Sequence, residues 1–234
     1  MKSPNIFILT GAGVSAESGL RTFRDSGGLW EGHKVEDVAT PGAFASDPVL
    51  VHNFYNMRRR QLEEVNPNAA HQALAQLQLQ AEVTLVTQNV DNLHERAGSS
   101  KVIHMHGELL KKRCATCNVV SECLGDLTYD CVCDDCGSEG RMRPNIVWFG
   151  EMPLFMDDIH TALMKADVFV SIGTSGLVYP AAGFAEEAKR HGARCIEINL
   201  ADTQQSEVFD EHIVGPASET VPDWVSEILQ TLQD

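Results

Sequence analysis

Basic side chains are scarce in this chain of 234 residues: 18 Lys and Arg stand against 33 Asp and Glu, a net charge of 18 − 33 = −15. That deficit excludes non-specific binding to DNA or to an anionic membrane, since both need a basic surface. An acidic body suits basic partners such as lysine-rich segments, although solubility is the plainer reading of charge taken alone. Long hydrophobic runs are missing as well. After Met1-Lys2-Ser3-Pro4-Asn5 the first apolar run, Ile6-Phe7-Ile8-Leu9, is too short for a secretory core. No stretch reaches the roughly 18 apolar residues that a membrane span requires. A cytoplasmic monomer with neither nucleic acid nor membrane as a partner is expected. Cysteine is almost absent outside one region, with six of the seven lying between Cys114 and Cys136. Such clustering, without an export signal, points to metal and not to disulfides. Repeats and low-complexity tracts are also missing, and the length suffices for one α/β domain with a core plus a small insert.

Four apolar runs read as buried strands: Asn5 to Thr10, Val83 to Thr87, Val168 to Ile172 and Cys195 to Ile198. A helix is expected from Asn68 to Gln80, with Ala70, Leu74 and Leu77 on one face. A second is expected from Ala181 to His191, ended by Gly192. Strands alternating with helices imply an α/β fold with a Rossmann-like, doubly wound parallel sheet. Residues 25–67 carry Gly27-Gly28, Thr40-Pro41-Gly42 and Asp47-Pro48, which predict loops and short helices. The expected division is a dinucleotide-binding domain from 1–24, 81–110 and 144–234. A helical and loop insert would cover 25–80, and a cysteine-rich module 111–143.

Each predicted strand runs at once into small or polar residues: Gly11-Ala12-Gly13, Gln88-Asn89-Val90-Asp91, Gly173-Thr174-Ser175 and Asn199-Leu200. Turns alone explain any one of these clusters. Four together predict one cleft, because ligands of open α/β sheets bind at the carboxyl ends of the strands. Gly11 to Ala16 fits G-x-G-x-x-[G/A], in which the first glycine permits the turn, the second lets backbone approach a pyrophosphate and the small third residue lets helix and strand pack. A hydride-transfer domain would continue into a long helix. Here Gly19 cuts the helix short and a polar stretch follows, which argues against a dehydrogenase.

Cys114-x2-Cys117, fifteen residues, then Cys133-x2-Cys136 has the spacing of a four-thiolate zinc ribbon. Such a closed site leaves no position for water, so the metal should support folding and not catalysis. Cys123 and Cys131 are spare, read as free thiols or packing residues, with Cys131 as a substitute ligand the lesser alternative. Cys195 reads as a small core residue. His104-Met105-His106-Gly107-Glu108 offers two histidines, either of which could be a general base near neutral pH.

These motifs together resemble the sirtuin family. Gly11-Ala12-Gly13-Val14-Ser15-Ala16-Glu17-Ser18-Gly19, then Phe23-Arg24, Thr87-Gln88-Asn89-Val90-Asp91, His106-Gly107, the two cysteine pairs, Gly173-Thr174-Ser175 and Asn199 follow in family order across essentially the whole chain. The likeness is greatest to bacterial class III members. It implies removal of acyl groups from protein lysines with NAD consumed as co-substrate. The products would be free lysine, nicotinamide and O-acyl-ADP-ribose, and the partners acyl-lysine-bearing proteins. It also implies roles. His106 would be the base, and Gln88, Asn89 and Asp91 would hold the ribose and nicotinamide. Gly11, Ala12, Gly13, Ser15, Ala16, Gly173, Thr174, Ser175, Asn199, Leu200 and Ala217 would bind the ADP part. A loop from Glu17 to Trp30, with Thr22, Phe23 and Arg24, would close over the cofactor. Arg21-Thr22 replaces the Pro-Asp of many deacetylases, as in class III members, and Ser26 stands where the family often has alanine. Tyr55-Asn56-Met57-Arg58 resembles the Tyr-x-x-Arg pair that grips acidic acyl groups, such as succinyl and malonyl. Without the resemblance, Arg58-Arg59-Arg60 reads as a solvated basic stripe. Two other functions use the same motifs: a mono-ADP-ribosyltransferase, and a non-enzymatic zinc-ribbon adaptor or NAD sensor.

Overall fold

The computed structural model describes residues 4–20, 29–30 and 32–233, with no side-chain description for Leu29, Trp30 or Gln233. In chain order, β1 (Asn5–Thr10) is followed by α1 (Gly13–Ala16), a short hairpin β2 (Leu29–Trp30) and β3 (His33–Lys34), and the helices α2 (Val35–Val38), α3 (Pro41–Ser46), α4 (Pro48–Glu64) and α5 (Ala69–Gln78). Then come β4 (Glu82–Thr87), α6 (Leu93–Arg96), β5 (Val102–His104), β6 (Gly107–Cys114), β7 (Val120–Glu122) and β8 (Met142–Ile146). The chain closes with α7 (Met156–Leu163), β9 (Val168–Ile172), α8 (Phe184–Arg190), β10 (Arg194–Asn199), β11 (Glu211–Val214) and α9 (Ala217–Gln233).

Six parallel strands form the main sheet in the order β11-β10-β9-β1-β4-β5. The chain lays β4 and β5 on one side of β1, then crosses to lay β9, β10 and β11 on the other. The topological switch point therefore falls between β1 and β9, where the carboxyl ends of the strands leave a crevice. Side chains alternate along each strand. Ile6 and Ile8 of β1 face a core shared with Leu74 and Leu77 of α5 and with Val221 and Trp224 of α9. Phe7 and Leu9 face the opposite core, with Phe169, Phe184 and Cys195. Burial of each such Leu or Phe side chain contributes about 1.5–3 kcal/mol. Cys195 is wholly buried there, as a small core residue.

Helix α5 starts at Asn68, whose Oδ1 accepts from Ala70 N at 3.0 Å, while Nδ1 of His71 accepts from Asn68 N at 3.3 Å. Asn68 Nδ2 also donates to Val14 O at 2.8 Å, so this cap fastens α5 to the first glycine turn. Helix α8 ends before Gly192, which takes φ +93°.

The reading of 25–67 as loops and short helices needs correction, because α4 runs for 17 residues. Pro48 occupies its first turn, where no N–H is required, and Asp47 caps it by accepting from Leu50 N at 2.9 Å. The X-Pro dipeptide is a helix start there, not a break. A third core joins α4 to the small antiparallel sheet β7-β6-β8 through Val51, Phe54, Tyr55, Leu109, Ile146 and Trp148. Among the described residues no helix is long and apolar enough to cross a membrane.

Candidate functional site

The glycine turn after β1 packs on the turn after β9. Gly11 N donates to Ile172 O at 3.0 Å and Gly13 N to Gly173 O at 2.9 Å. A Cβ on Gly13 would lie 2.6 Å from Gly173 Cα, and Gly173 itself has φ +62°. These glycines are required by the meeting of two backbones at the switch point. Ala12 is the exposed residue of the turn, and α1 stops after Ala16, with Gly19 at φ +100°. Glu17 accepts from Ser218 N at 2.9 Å and from its Oγ at 2.7 Å, so its carboxylate ties the turn to α9 beside buried Ala217. Thr22, Phe23, Arg24 and Ser26 lie outside the described residues, as does the side chain of Trp30.

Asn89 and Asp91, after β4, reach the same turn. Asn89 Nδ2 donates to Gly11 O and to Ser15 Oγ, each at 3.1 Å. Ser15 Oγ in turn donates to Asp91 Oδ2 at 3.1 Å, and Asp91 Oδ1 accepts from Leu93 N at 3.1 Å. Burial raises the Asp91 pKa, against the pull of those two hydrogen bonds. At the other side of the switch point, Asn199 Nδ2 donates to Thr174 O at 2.8 Å and Ser175 Oγ accepts from Leu177 N at 3.3 Å. Leu200 is exposed at the edge. All four polar strand ends thus lie together at the carboxyl end of the sheet.

The two histidines separate cleanly. Nδ1 of His106 faces the carbonyl oxygen of Gln88 at 3.1 Å. A carbonyl only accepts, so Nδ1 carries the proton and Nε2 is the basic nitrogen. Burial holds the His106 pKa below its ordinary value, more than the Gln88 contact raises it. His104 faces Asn89 O at 3.2 Å through Nδ1 and Glu95 Oε1 at 2.7 Å through Nε2, so both nitrogens donate. Burial alone would lower its pKa, but the Glu95 bond and charge bring it above the ordinary value. Gly107, at φ +83°, is held so tightly that a Cβ would meet Asn145 O, which fixes the backbone beside His106, the residue just before β6.

The basic stripe read from Arg58-Arg59-Arg60 is not what α4 presents. Arg59 is buried and donates to Leu109 O at 2.9 Å and Asn56 Oδ1 at 2.7 Å. Arg60 is exposed and paired with Asp126 at 2.6 Å. Arg58 is buried beside Tyr55, where its charge acts on the phenol. Tyr55 is fully buried, and its oxygen accepts from Trp148 Nε1 at 2.9 Å. Burial raises the phenol pKa far above its ordinary value, so Tyr55 stays neutral.

The Sγ atoms of Cys114, Cys117, Cys133 and Cys136 lie within 4.8 Å of one another, with Cys114–Cys136 and Cys117–Cys133 each at 3.7 Å. A tetrahedron with Zn–S arms of about 2.3 Å has edges of about 3.8 Å, so the cluster fits zinc. Among the described residues no other group of three or more potential ligands is assembled, Cys131 and the two histidines included. Cys123 is buried and donates to Gly125 O, and both spare cysteines pack against the cluster. The strand ends also suit a dinucleotide. Serine, threonine, asparagine and glutamine bond hydroxyls and phosphates without crowding like charges.

Sequence reasoning missed the buried layer beneath the cleft. His71 Nε2 lies 3.4 Å from Ser15 Oγ and His94 Nε2 lies 3.0 Å from Thr10 Oγ1. Burial lowers His71 to about 4, so it is neutral; with Nδ1 accepting in the cap, Nε2–H donates to Ser15. The Asn68-x-x-His71 spacing of the cap was its one signal. Trp148 had none.

Residues 11–180 match the Sir2 family. The chain is 58% identical to the NAD-dependent protein deacylase of Shigella flexneri, over 99% of this chain and 86% of that protein. It is 57% identical to the protein of the same name from Escherichia coli strain K12, over 100% and 85%. A Sir2 homolog–NAD complex superposes with a TM-score of 0.90 at 42% identity, covering 99% of this chain and 91% of that one. A Sir2 homologue mutant in complex with ADP-ribose gives 0.91 at 41%, covering 99% and 94%.

Proposed function

The chain belongs to the Sir2 family and is an NAD-dependent protein lysine deacylase, and from that premise we propose that His106 is its general base and that Tyr55 with Arg58 admits acyl groups ending in a carboxylate. The observation that carries the first part is the His106 Nδ1–H bond to Gln88 O, which leaves Nε2 to take a proton. His104 has no nitrogen left to accept one. When bound, NAD supplies an electrophilic ribose carbon and a leaving group, nicotinamide. An amide oxygen is a poor nucleophile, so this chain contributes mostly by orienting its substrates and excluding water. Gln88, Asn89, Asp91 and the turns at Gly11–Gly13 and Gly173–Ser175 would hold the dinucleotide. Cys114, Cys117, Cys133 and Cys136 would hold one zinc, remote from the chemistry and in support of the small sheet.

Support for the acyl part is the burial of Arg58 and Tyr55 side by side on α4. Positions i and i+3 share a helix face, and a guanidinium with a phenol hydroxyl suits a carboxylate. We divide the chain into the main-sheet domain, which includes α5 because Leu74 and Leu77 share its core, the α2–α4 insert and the small-sheet module around 111–143. None of the seven cysteines is in a disulfide, and four of them cluster as metal ligands, which suits a reducing compartment such as the cytoplasm. ADP-ribosyl transfer and a bare adaptor role are not favoured, since the relatives are named deacylases. The test is NAD consumption against peptides bearing acetyl-, malonyl- and succinyl-lysine, with products weighed by mass spectrometry. Free lysine and O-acyl-ADP-ribose are expected; ADP-ribose left on protein would overturn the reading.

A further inference from the structure

Strand β10 turns one acidic side chain inward. Glu197 is 3% exposed and shares a strand face with Cys195 and Asn199, two positions from each. We infer that Glu197 is a positioning residue for the ADP half of NAD, which holds the β10–β11 loop against the turn after β9. This rests on the reading that Asn199 and the Gly173–Ser175 turn bind that half.

A carboxylate taken out of water is costly unless donors surround it. Glu197 has three. Thr203 Oγ1 donates to its Oε1 at 2.8 Å, and Ser206 Oγ donates to its Oε2. His212 of β11, its register partner, brings Nδ1 to 3.2 Å from the same Oε2. The two hydroxyls belong to the loop between β10 and β11. Within that loop Thr203 N donates to Ser206 Oγ at 2.8 Å and Gln205 N to Thr203 Oγ1 at 3.3 Å. The side chains that the carboxylate fixes therefore also set the local backbone.

The same loop abuts the cleft. Gly176 directly follows Ser175 at φ +65°, and a Cβ on it would lie 3.0 Å from Gln205 Cγ and 3.6 Å from Thr203 Oγ1. Asn199 Nδ2 ties the end of β10 to Thr174 O at 2.8 Å. Glu197 thus stands behind both strand ends, through Thr203 to the β9 turn and along its own strand to Asn199. A cavity of about 20 Å³ stays open among Glu197, Thr174, Gly176, Gln205 and Phe209. Apolar contact alone does not fix a loop beside such a space, so directional bonds set its place.

The experiment measures the Kd for ADP-ribose by calorimetry, and steady-state constants for NAD and an acetyl-lysine peptide. It compares the unmutated protein with Glu197→Gln, Thr203→Val, Ser206→Ala and Asn199→Ala. Glu197→Gln keeps the shape but turns an amide N–H2 toward donors. It is expected to raise the Kd for ADP-ribose and the KM for NAD roughly three- to tenfold, the range for one lost hydrogen bond. Its kcat at saturating NAD and its KM for the peptide should stay near the parent. Thr203→Val should do the same, and joining it to Glu197→Gln should add little, since the two act through one contact. A lower Tm with unchanged ADP-ribose affinity would make Glu197 a purely structural residue and overturn the inference. A matching loss in kcat or in the peptide constant would overturn it too. If Asn199→Ala leaves ADP-ribose binding unchanged, the cofactor reading falls and this inference with it. If Asn199→Ala weakens binding while Glu197→Gln and Thr203→Val do not, only this inference falls. Should Glu197→Gln not fold, Thr203→Val and Ser206→Ala on the half-buried loop give the same readout.

Discussion

His106 and Gln88 are joined by one hydrogen bond of 3.1 Å, from a ring nitrogen to a main-chain carbonyl, and that bond selects the tautomer with a basic Nε2. His106→Ala should therefore lower turnover by about 10²–10⁴-fold, the usual contribution of a placed general base. NAD binding, followed by calorimetry, should be largely kept. Activity within a few-fold of the parent would move the role to another residue, and the ring occupancy of His104 would have to be wrong.

The pH profile follows from the same burial. A base works in its neutral form, and burial moves the His106 pKa down, so it stays neutral to a lower pH than an ordinary histidine. The acid limb of kcat/KM should lie below the value of a solvent-exposed histidine. An acid limb above that value would mean that the titrating group is one whose charged form is favoured, as at His104.

Arg58→Met should raise KM for succinyl-lysine and leave acetyl-lysine nearly untouched. A charge-assisted bond is worth roughly 1.5–3 kcal/mol, which is about a ten- to hundredfold loss in kcat/KM. An equal fall on both peptides would make Arg58 a packing residue.

Cys133→Ser should lose zinc and lower the Tm, because metal binding at such a site is coupled to folding. Cys133 is buried within the core of the small module, alongside Cys114 and Met142. Full metal content with unchanged melting would refute the four-cysteine assignment. Cys131→Ser, by contrast, should keep its metal.

Much of this was legible in sequence wherever local pattern decides the outcome. The limits of β1 and β9 follow from their apolar runs, the zinc cluster from its spacing, and the short α1 from Gly19. Strands β5 and β11, with three and four residues at the two edges of the sheet, give too short a pattern to read. Helix α4 was hidden because Asp47-Pro48 serves a turn and a helix start equally well. Only the side-chain bond to Leu50 N separates the two. Three consecutive arginines look alike as letters, yet tertiary packing buries two and leaves one in water. The Tyr55–Trp148 bond is likewise a product of folding alone.

The contact of Gly13 with Gly173 changes how a mutational scan of this protein must be interpreted. Both positions line the cleft, so intolerance there invites a reading as cofactor contact. Yet a methyl group at 13 would collide with backbone 2.6 Å away before any ligand arrived. Sensitivity at 13 and 173 will therefore register as lost soluble protein, whereas sensitivity at positions such as His106 should appear with abundance intact. Scoring abundance beside activity is what tells the framework of this cleft from its working parts.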